Sequence, residues 1–225
     1  MSSEPAHGDR NAWRILIVDD HPLVQVGLIS LIQAEPDLQV CGQTGRISEA
    51  LELVRETAPD LVTVDLSLAD GNGLDLVKRL RTTHGDVRIL VCSMHDEALF
   101  AYRALNAGAM GYIGKEEAAT QVVAAIRQVL GGKIWLSAGM TERVLHGIAD
   151  RGAVSKAPAI DSLSDRELEV FSLIGQGVGA TKIAEQLHLS VKTVETHREN
   201  IKKKLHLQSG SELTRRAMQW TFDQS

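Results

Sequence analysis

Four short apolar segments of this chain each stop at a residue able to do chemistry. Ile15-Leu16-Ile17-Val18 runs into Asp19-Asp20, Leu61-Val62-Thr63-Val64 into Asp65, and Ile89-Leu90-Val91-Cys92 into Ser93. A fourth, Gly111-Tyr112-Ile113-Gly114, ends at Lys115. Near-continuous β-branched runs of this length, separated by helical patterns, read as parallel strands buried on both faces. In such sheets the carboxyl ends of the strands open into one crevice, where ligands bind. Three carboxylates, a hydroxyl and an ammonium are therefore expected to converge, a set suited to a magnesium ion and a phosphoryl group.

The alternation runs from Trp13 to about Leu130. Strands are expected over roughly 14–18, 38–42, 61–65, 88–92 and 111–113, with helices near 22–34, 48–58, 72–84, 97–107 and 117–130. Five βα repeats with right-handed crossovers make a doubly wound, five-stranded parallel α/β sheet. Pro22 suits a first helical position, and Ala107-Gly108 supplies a helix stop. Past Gly131-Gly132 no such strand recurs. Met140, Val144 and Ile148 mark one amphipathic helix over 137–149, and the small, polar stretch 151–160 reads as a linker. The remainder is all helix. Ser164 and Glu167 have capping-box spacing, with Leu163 and Leu168 as a hydrophobic staple. That helix ends near 175–177; others are expected at 181–188, at 191–205 with Ser190 as N-cap, and at 211–221. The chain thus divides into 14–131, a linker at 132–160, and 161–225.

Bulk properties narrow the classes. No apolar leader opens the chain and no run approaches a membrane span, so a cytoplasmic protein without membrane contact is expected. Cys41 and Cys92 sit in apolar strand-like segments and read as buried reduced thiols. The formal net charge is -5, but residues 161–225 hold nine Lys and Arg against nine Asp and Glu, so the acidity belongs to the first part.

Taken singly, Asp19-Asp20 reads as a helix cap, Asp65 as a turn residue and Lys115 as a solvated charge. Shared placement on one rim favours a joint role. Magnesium wants oxygen ligands and keeps several waters, so Asp19 and Asp20 can hold it beside Asp65. Its charge offsets repulsion between an anionic nucleophile and an anionic phosphoryl donor. Carboxylates form acyl phosphates, which makes Asp65 the natural nucleophile. Lys115 and the Ser93 hydroxyl would each take a phosphoryl oxygen.

With the acid pair, the central Asp65, Ser93, Lys115 and an aromatic three residues before that lysine in place, residues 14–130 resemble the receiver domain of bacterial response regulators. The resemblance implies a flavodoxin-like fold and an Asp65 phosphorylated by a histidine kinase or a small phosphodonor. It implies direct Mg2+ ligation by Asp20, Asp65 and the backbone carbonyl of Ser67, with Asp19 acting through water. Tyr112 would be the switch aromatic, turning inward as Ser93 moves toward the phosphate. One departure is visible. Receivers often carry proline four residues after the phosphoacceptor, and here that position is Ala69, so a looser loop over Leu66–Asn72 is expected; Gly73 is in its usual place.

In the C-terminal part, a short helix, a tight turn through Ser190 and a polar helix bearing Lys202-Lys203-Lys204 form a helix-turn-helix pattern. At 100° per residue, Val194, Ile201 and Leu205 fall on one narrow face, edged by Val191 and Arg198. Lys192, Glu195, Thr196, Glu199 and Lys203 lie opposite. Residues 163–205 resemble the LuxR/NarL type of four-helix DNA-binding domain through Leu163-Ser164-Asp165-Arg166-Glu167, Lys182-Ile183-Ala184 and 189–197. That resemblance implies phosphate anchoring by Lys182, Lys192, Thr193 and His197, and base proximity for Glu195, Thr196 and Glu199. The glutamates either accept from cytosine amino groups or pair with Lys192 and Lys203 along the helix. A near-neutral domain binds DNA weakly without sequence, so a homodimer on two half-sites is expected.

The favoured reading is a phosphorylation-controlled transcription regulator of double-stranded DNA, not an enzyme. A haloacid-dehalogenase-type phosphatase would need a second acid two residues after the nucleophile, where Ser67 stands. A regulator that ignores phosphorylation also ranks well below the favoured reading, because every acidic and switch position is filled.

Overall fold

The computed structural model describes residues 12–95, 97–142 and 159–224. They fall into two compact units, one ending at Ser137 and the other beginning at Ala138.

In the first unit the apolar runs become β1 (Trp13–Val18), β3 (Leu61–Val64), β6 (Arg88–Ser93) and β7 (Gly111–Gly114), joined by β2 (Leu38–Thr44). All pair in parallel, in the order β2-β1-β3-β6-β7. Register sets the site. Val18 pairs with Val64, Val64 with Val91, and Ser93 with Gly114. The residues that follow β1, β3 and β7 and the last residue of β6 therefore share one rim. Helices α1 (Pro22–Gln33), α2 (Ile47–Thr57), α3 (Gly73–Thr83), α4 (Glu97–Ala107) and α5 (Lys115–Leu130) complete five βα units. Ile15, Ile17, Leu90 and Ile113 pack with Leu28, Ile32, Val122 and Ile126 in one buried cluster. Each fully buried aliphatic side chain of this kind contributes about 1.5–3 kcal/mol.

Two differences from the expected elements bear on the site. Lys115 opens α5 instead of closing a strand. Residues Ser67–Leu68 (β4) and Gly71–Asn72 (β5) form a small antiparallel hairpin turning on Ala69 and Asp70. The outer surface of α1 is apolar at Leu23 and Val26, 85% and 63% exposed.

The second unit holds α6 (Asp165–Gly175), α7 (Ala180–Gln186), α8 (Val191–Lys204) and α9 (Gly210–Gln224). The capping box forms as the spacing predicts, with Ser164 Oγ accepting from Glu167 N–H and the Glu167 carboxylate accepting from Ser164 N–H. Ser190 caps α8 by accepting from Thr193 N–H at 3.0 Å. Caps of this type are worth about 1 kcal/mol. Phe171 and Trp220 pack with ring centroids 5.2 Å apart. A Cβ at Gly175 would lie 2.7 Å from the Ala217 carbonyl oxygen, so α9 crosses α6 where only glycine fits. The expected helix 137–149 is helical at 138–142; its remainder and most of the linker 151–160 lie outside the described residues. No helix among the described residues is long and apolar enough to cross a membrane.

Candidate functional site

Asp19 and Asp65 emerge from adjacent strands because Asp65 N–H donates to the Val18 carbonyl at 2.8 Å, continuing the ladder. Both carboxylates are buried at 2% exposure. Lys115 Nζ lies 2.7 Å from an oxygen of each, with its own side chain 4% exposed. Burial and the neighbouring Asp65 hold the Asp19 carboxyl above its ordinary range, against the pull of Lys115 and the His21 N–H. Burial pulls the Lys115 ammonium down, but Asp65 and Asp19 outweigh it and leave its pKa raised, so it stays charged. One positive charge thus faces two buried negative ones, with Asp20 alongside.

Each of Asp19, Asp20, His21 and Asp65 offers a ligand atom within 4.8 Å of the others. Asp65 Oδ1 is buried and has no hydrogen-bond partner among the described residues. An enclosed acceptor left so costs about 1–3 kcal/mol, which a cation at this point would offset. The three carboxylates of the group fit a hard dication such as Mg2+.

Ser93 is buried at the end of β6, its Oγ accepting from His95 N–H at 3.3 Å. Tyr112 lies inward and buried, its hydroxyl donating to the His95 carbonyl at 2.6 Å. His95 Nε2 is 3.1 Å from Ser67 Oγ, and its ring packs on Phe100. One residue therefore touches Ser67, Ser93 and Tyr112 together. The preceding Cys92 is inert; burial pushes its thiol up to about 12.

The loop after Asp65 is tied down, contrary to the expectation raised by Ala69. Ala69 N–H donates to the Gly45 carbonyl at 3.2 Å, a bond proline could not make. Asp70 accepts from Ile47 N–H at 2.7 Å and from Ser48 N–H and Oγ, capping α2, whose own N-cap Arg46 supplies no side-chain bond. Gly73 is obligatory, since a Cβ there would meet the Asp65 carbonyl oxygen at 1.9 Å.

In the second unit, α7 and α8 meet at a turn where His188 takes a left-handed φ of 52° and Leu189 N–H closes onto the Ala184 carbonyl. Val194 and Ile201 are buried, as the helical angles predict, while Leu205 is half-buried. Lys182, Lys192, Glu195, Thr196, Glu199 and Lys203 are exposed and Thr193 is half-buried. The helix pairs differ from those expected, Glu195 meeting Arg198 at 3.4 Å and Glu199 meeting Lys202 at 2.8 Å. Lys204 instead reaches Glu167 on α6. His197 is half-buried, its Nδ1 enclosed without a hydrogen-bond partner among the described residues; burial and Arg166 push its pKa below the ordinary value, outweighing Glu167.

Sequence reasoning names Asp19, Asp20, Asp65, Ser93, Tyr112 and Lys115, and these meet at one rim with Ser67 in the adjoining hairpin. It misses His21, His95 and Asp70. The Asp70-Gly71 pair was the available signal for a turn; nothing in the spacing marks His95.

The chain matches the response regulator receiver domain over residues 15–127 and the bacterial regulatory proteins of the luxR family over 161–217. It is 34% identical to the oxygen regulatory protein NreC of Staphylococcus carnosus over 209 residues, covering 91% of this chain and 96% of that one. To the transcriptional regulatory protein LiaR of Bacillus subtilis it is 33% identical over 192 residues, covering 85% and 90%. A two-component response regulator of the LuxR family from Aurantimonas sp. aligns with 61% of this chain and 99% of its own, at 35% identity and a TM-score of 0.57. RcsB from Salmonella enterica, bound to promoter rprA with the phosphomimetic BeF3-, shares the fold at 23% identity and a TM-score of 0.60, covering 91% and 98%.

Proposed function

The chain belongs to the two-component response regulators that join a receiver domain to a LuxR-type DNA-binding domain, and from that premise we propose that phosphorylation of Asp65 controls its binding to DNA. The observation that carries this reading is the buried Asp65, held 2.7 Å from Lys115 by one oxygen and left unpartnered at the other.

We assign the receiver to 14–131, the linker to 132–160 and the DNA-binding domain to 161–225. Asp20, Asp65 and the Ser67 carbonyl would hold Mg2+, with Asp19 through water. Bound there, the ion supplies positive charge between the nucleophile and the phosphoryl oxygens. A carboxylate oxygen of Asp65 attacks phosphorus, and the bond from phosphorus to the donor breaks, its electron pair leaving with a kinase histidine or a small acid. Lys115 then meets one phosphoryl oxygen as a charge and Ser93 donates its hydroxyl to another. Because Ser93 Oγ accepts from His95 N–H while the His95 carbonyl holds Tyr112, movement of Ser93 draws on the bond that seats the tyrosine.

Output lies in α8. Its N-terminal end would enter the major groove, with Lys182, Lys192, Thr193 and Lys203 on phosphates and Glu195, Thr196 and Glu199 toward the bases. His197, neutral at pH 7, would serve a phosphate as a hydrogen-bond donor and not as a charge. The protein would act in the cytoplasm as a homodimer, and the apolar outer face of α1 at Leu23 and Val26 supports pairing through the receiver.

The test is mass spectrometry of the full chain after incubation with acetyl phosphate and Mg2+. One phosphoryl group per chain, mapped to Asp65 and missing from Asp65→Ala, is expected. Labelling that survives this substitution would remove Asp65 from the mechanism.

A further inference from the structure

The acidic crevice contains a nitrogen donor that the phosphoryl chemistry does not use. His21 Nδ1 stands 2.8 Å from Asp20 Oδ1, 3.3 Å from Asp19 Oδ1 and 3.7 Å from Asp65 Oδ2. The residue is held there by its backbone. Its N–H donates to Asp19 Oδ1 at 2.9 Å, and it occupies the N-cap of α1 with Pro22 at the first helical position. Pro22 also biases His21 toward the extended backbone it adopts. The ring is 55% exposed, so it adopts this position without being packed into it.

A separate observation points to a cation within the same group of atoms. Asp65 Oδ1 is buried and lacks a hydrogen-bond partner among the described residues, although Oδ2 is satisfied by Lys115. Ligand atoms of Asp19, Asp20, His21 and Asp65 all lie within 4.8 Å of one another, close enough for one ion to reach them.

Chemistry then separates the ions. Carboxylate, carbonyl and water suit Mg2+, whereas imidazole suits later first-row dications, whose affinity for mixed N/O sites rises from Mn2+ through Co2+ to Cu2+. We propose that His21 is a nitrogen ligand of this site, so that the receiver takes later first-row dications such as Co2+ through an imidazole that Mg2+ does not use. The inference rests on the reading of the crevice as a metal site, and it adds to that reading which ions compete there. Coordination requires neutral His21, with Nδ1 directing its lone pair at the ion and Nε2 carrying the proton.

The experiment uses the full chain, native and with His21→Ala or His21→Asn, at about pH 8, where free imidazole is neutral. Calorimetric titration with CoCl2 and with MgCl2 gives two affinities per protein, and the visible absorption of bound Co2+ reports its ligands. Removing an imidazole ligand is expected to weaken Co2+ at least about tenfold, in line with the cost of losing even an outer-shell partner. The Co2+ spectrum should change in both variants while Mg2+ affinity stays within about twofold, since Mg2+ does not draw on the nitrogen. An unchanged Co2+ spectrum and affinity, or equal losses for both ions, would overturn the role of His21. Failure of the native protein to bind either ion would instead overturn the metal site itself.

Discussion

Lys115 Nζ sits 2.7 Å from Asp65 Oδ2 and the same distance from Asp19 Oδ2, a single ammonium shared by two buried carboxylates. Without it, two negative charges face each other out of water. Lys115→Ala should therefore destabilise the receiver by about 3 kcal/mol at neutral pH, the usual cost of orphaning a buried charge. Urea denaturation would measure this. A loss within about 0.5 kcal/mol would mean that the pair is solvated.

Asp19 carries the opposite burden. Burial and Asp65 hold its folded-state pKa above the unfolded value, so its contribution to stability is fully present below that value and is lost as pH rises through the folded one. Ionising this buried carboxylate is thus a cost. Asp19→Asn should raise the melting temperature at pH 7, and the gain should shrink as pH falls through the raised folded-state pKa and level off below the unfolded value of about 4. Mg2+ binding should weaken in the same variant. Thermal scans across pH check the first point and titration with MgCl2 the second.

Asp70 fastens the loop after Asp65 to the start of α2 through Ile47 and Ser48. Asp70→Ala removes this external cap and should cost about 1 kcal/mol. Because Ser67 belongs to the same hairpin, half-saturation by Mg2+ should also rise, while phosphorylation at saturating Mg2+ stays near native. Equal Mg2+ dependence in the two proteins would limit Asp70 to a stabilising role.

These residues show what could be read in advance. Asp19, Asp65, Ser93 and Lys115 were legible because each stands at the end of a buried strand or one residue beyond it, and the parallel register brings strand ends together whatever their separation along the chain. The caps at Ser164 and Ser190 were legible because a capping bond spans only three residues. Asp70 was not, since it caps a helix that begins 23 positions earlier, across a β3 crossover that leaves no local pattern. His95 escaped for a related reason: two of its three bonds to the site run through its backbone. The partners of Glu195 and Glu199 were misassigned because (i, i+3) and (i, i+4) neighbours on one helix turn compete within a few tenths of a kcal/mol.

On α8, charge and hydrogen bonding should separate in salt titrations. Lys192→Ala should reduce the slope of log affinity against log salt by about 1, the signature of one lost phosphate ion pair. His197→Gln should weaken binding with no change in slope at pH 7.5, because burial and Arg166 keep the imidazole neutral. A slope change for His197→Gln would show that the ring is charged on DNA.

Control of α8 by chemistry at Asp65 is measured most directly by fluorescence anisotropy, with a DNA site selected from a random pool by the native full-length protein. Binding is measured with and without acetyl phosphate and Mg2+, for the native chain and for Asp65→Ala. The phosphodonor should change native affinity by about 5- to 150-fold, the range of a coupling of about 1–3 kcal/mol, and leave Asp65→Ala unmoved. Identical responses in the two proteins, or no response in the native chain, would contradict that control.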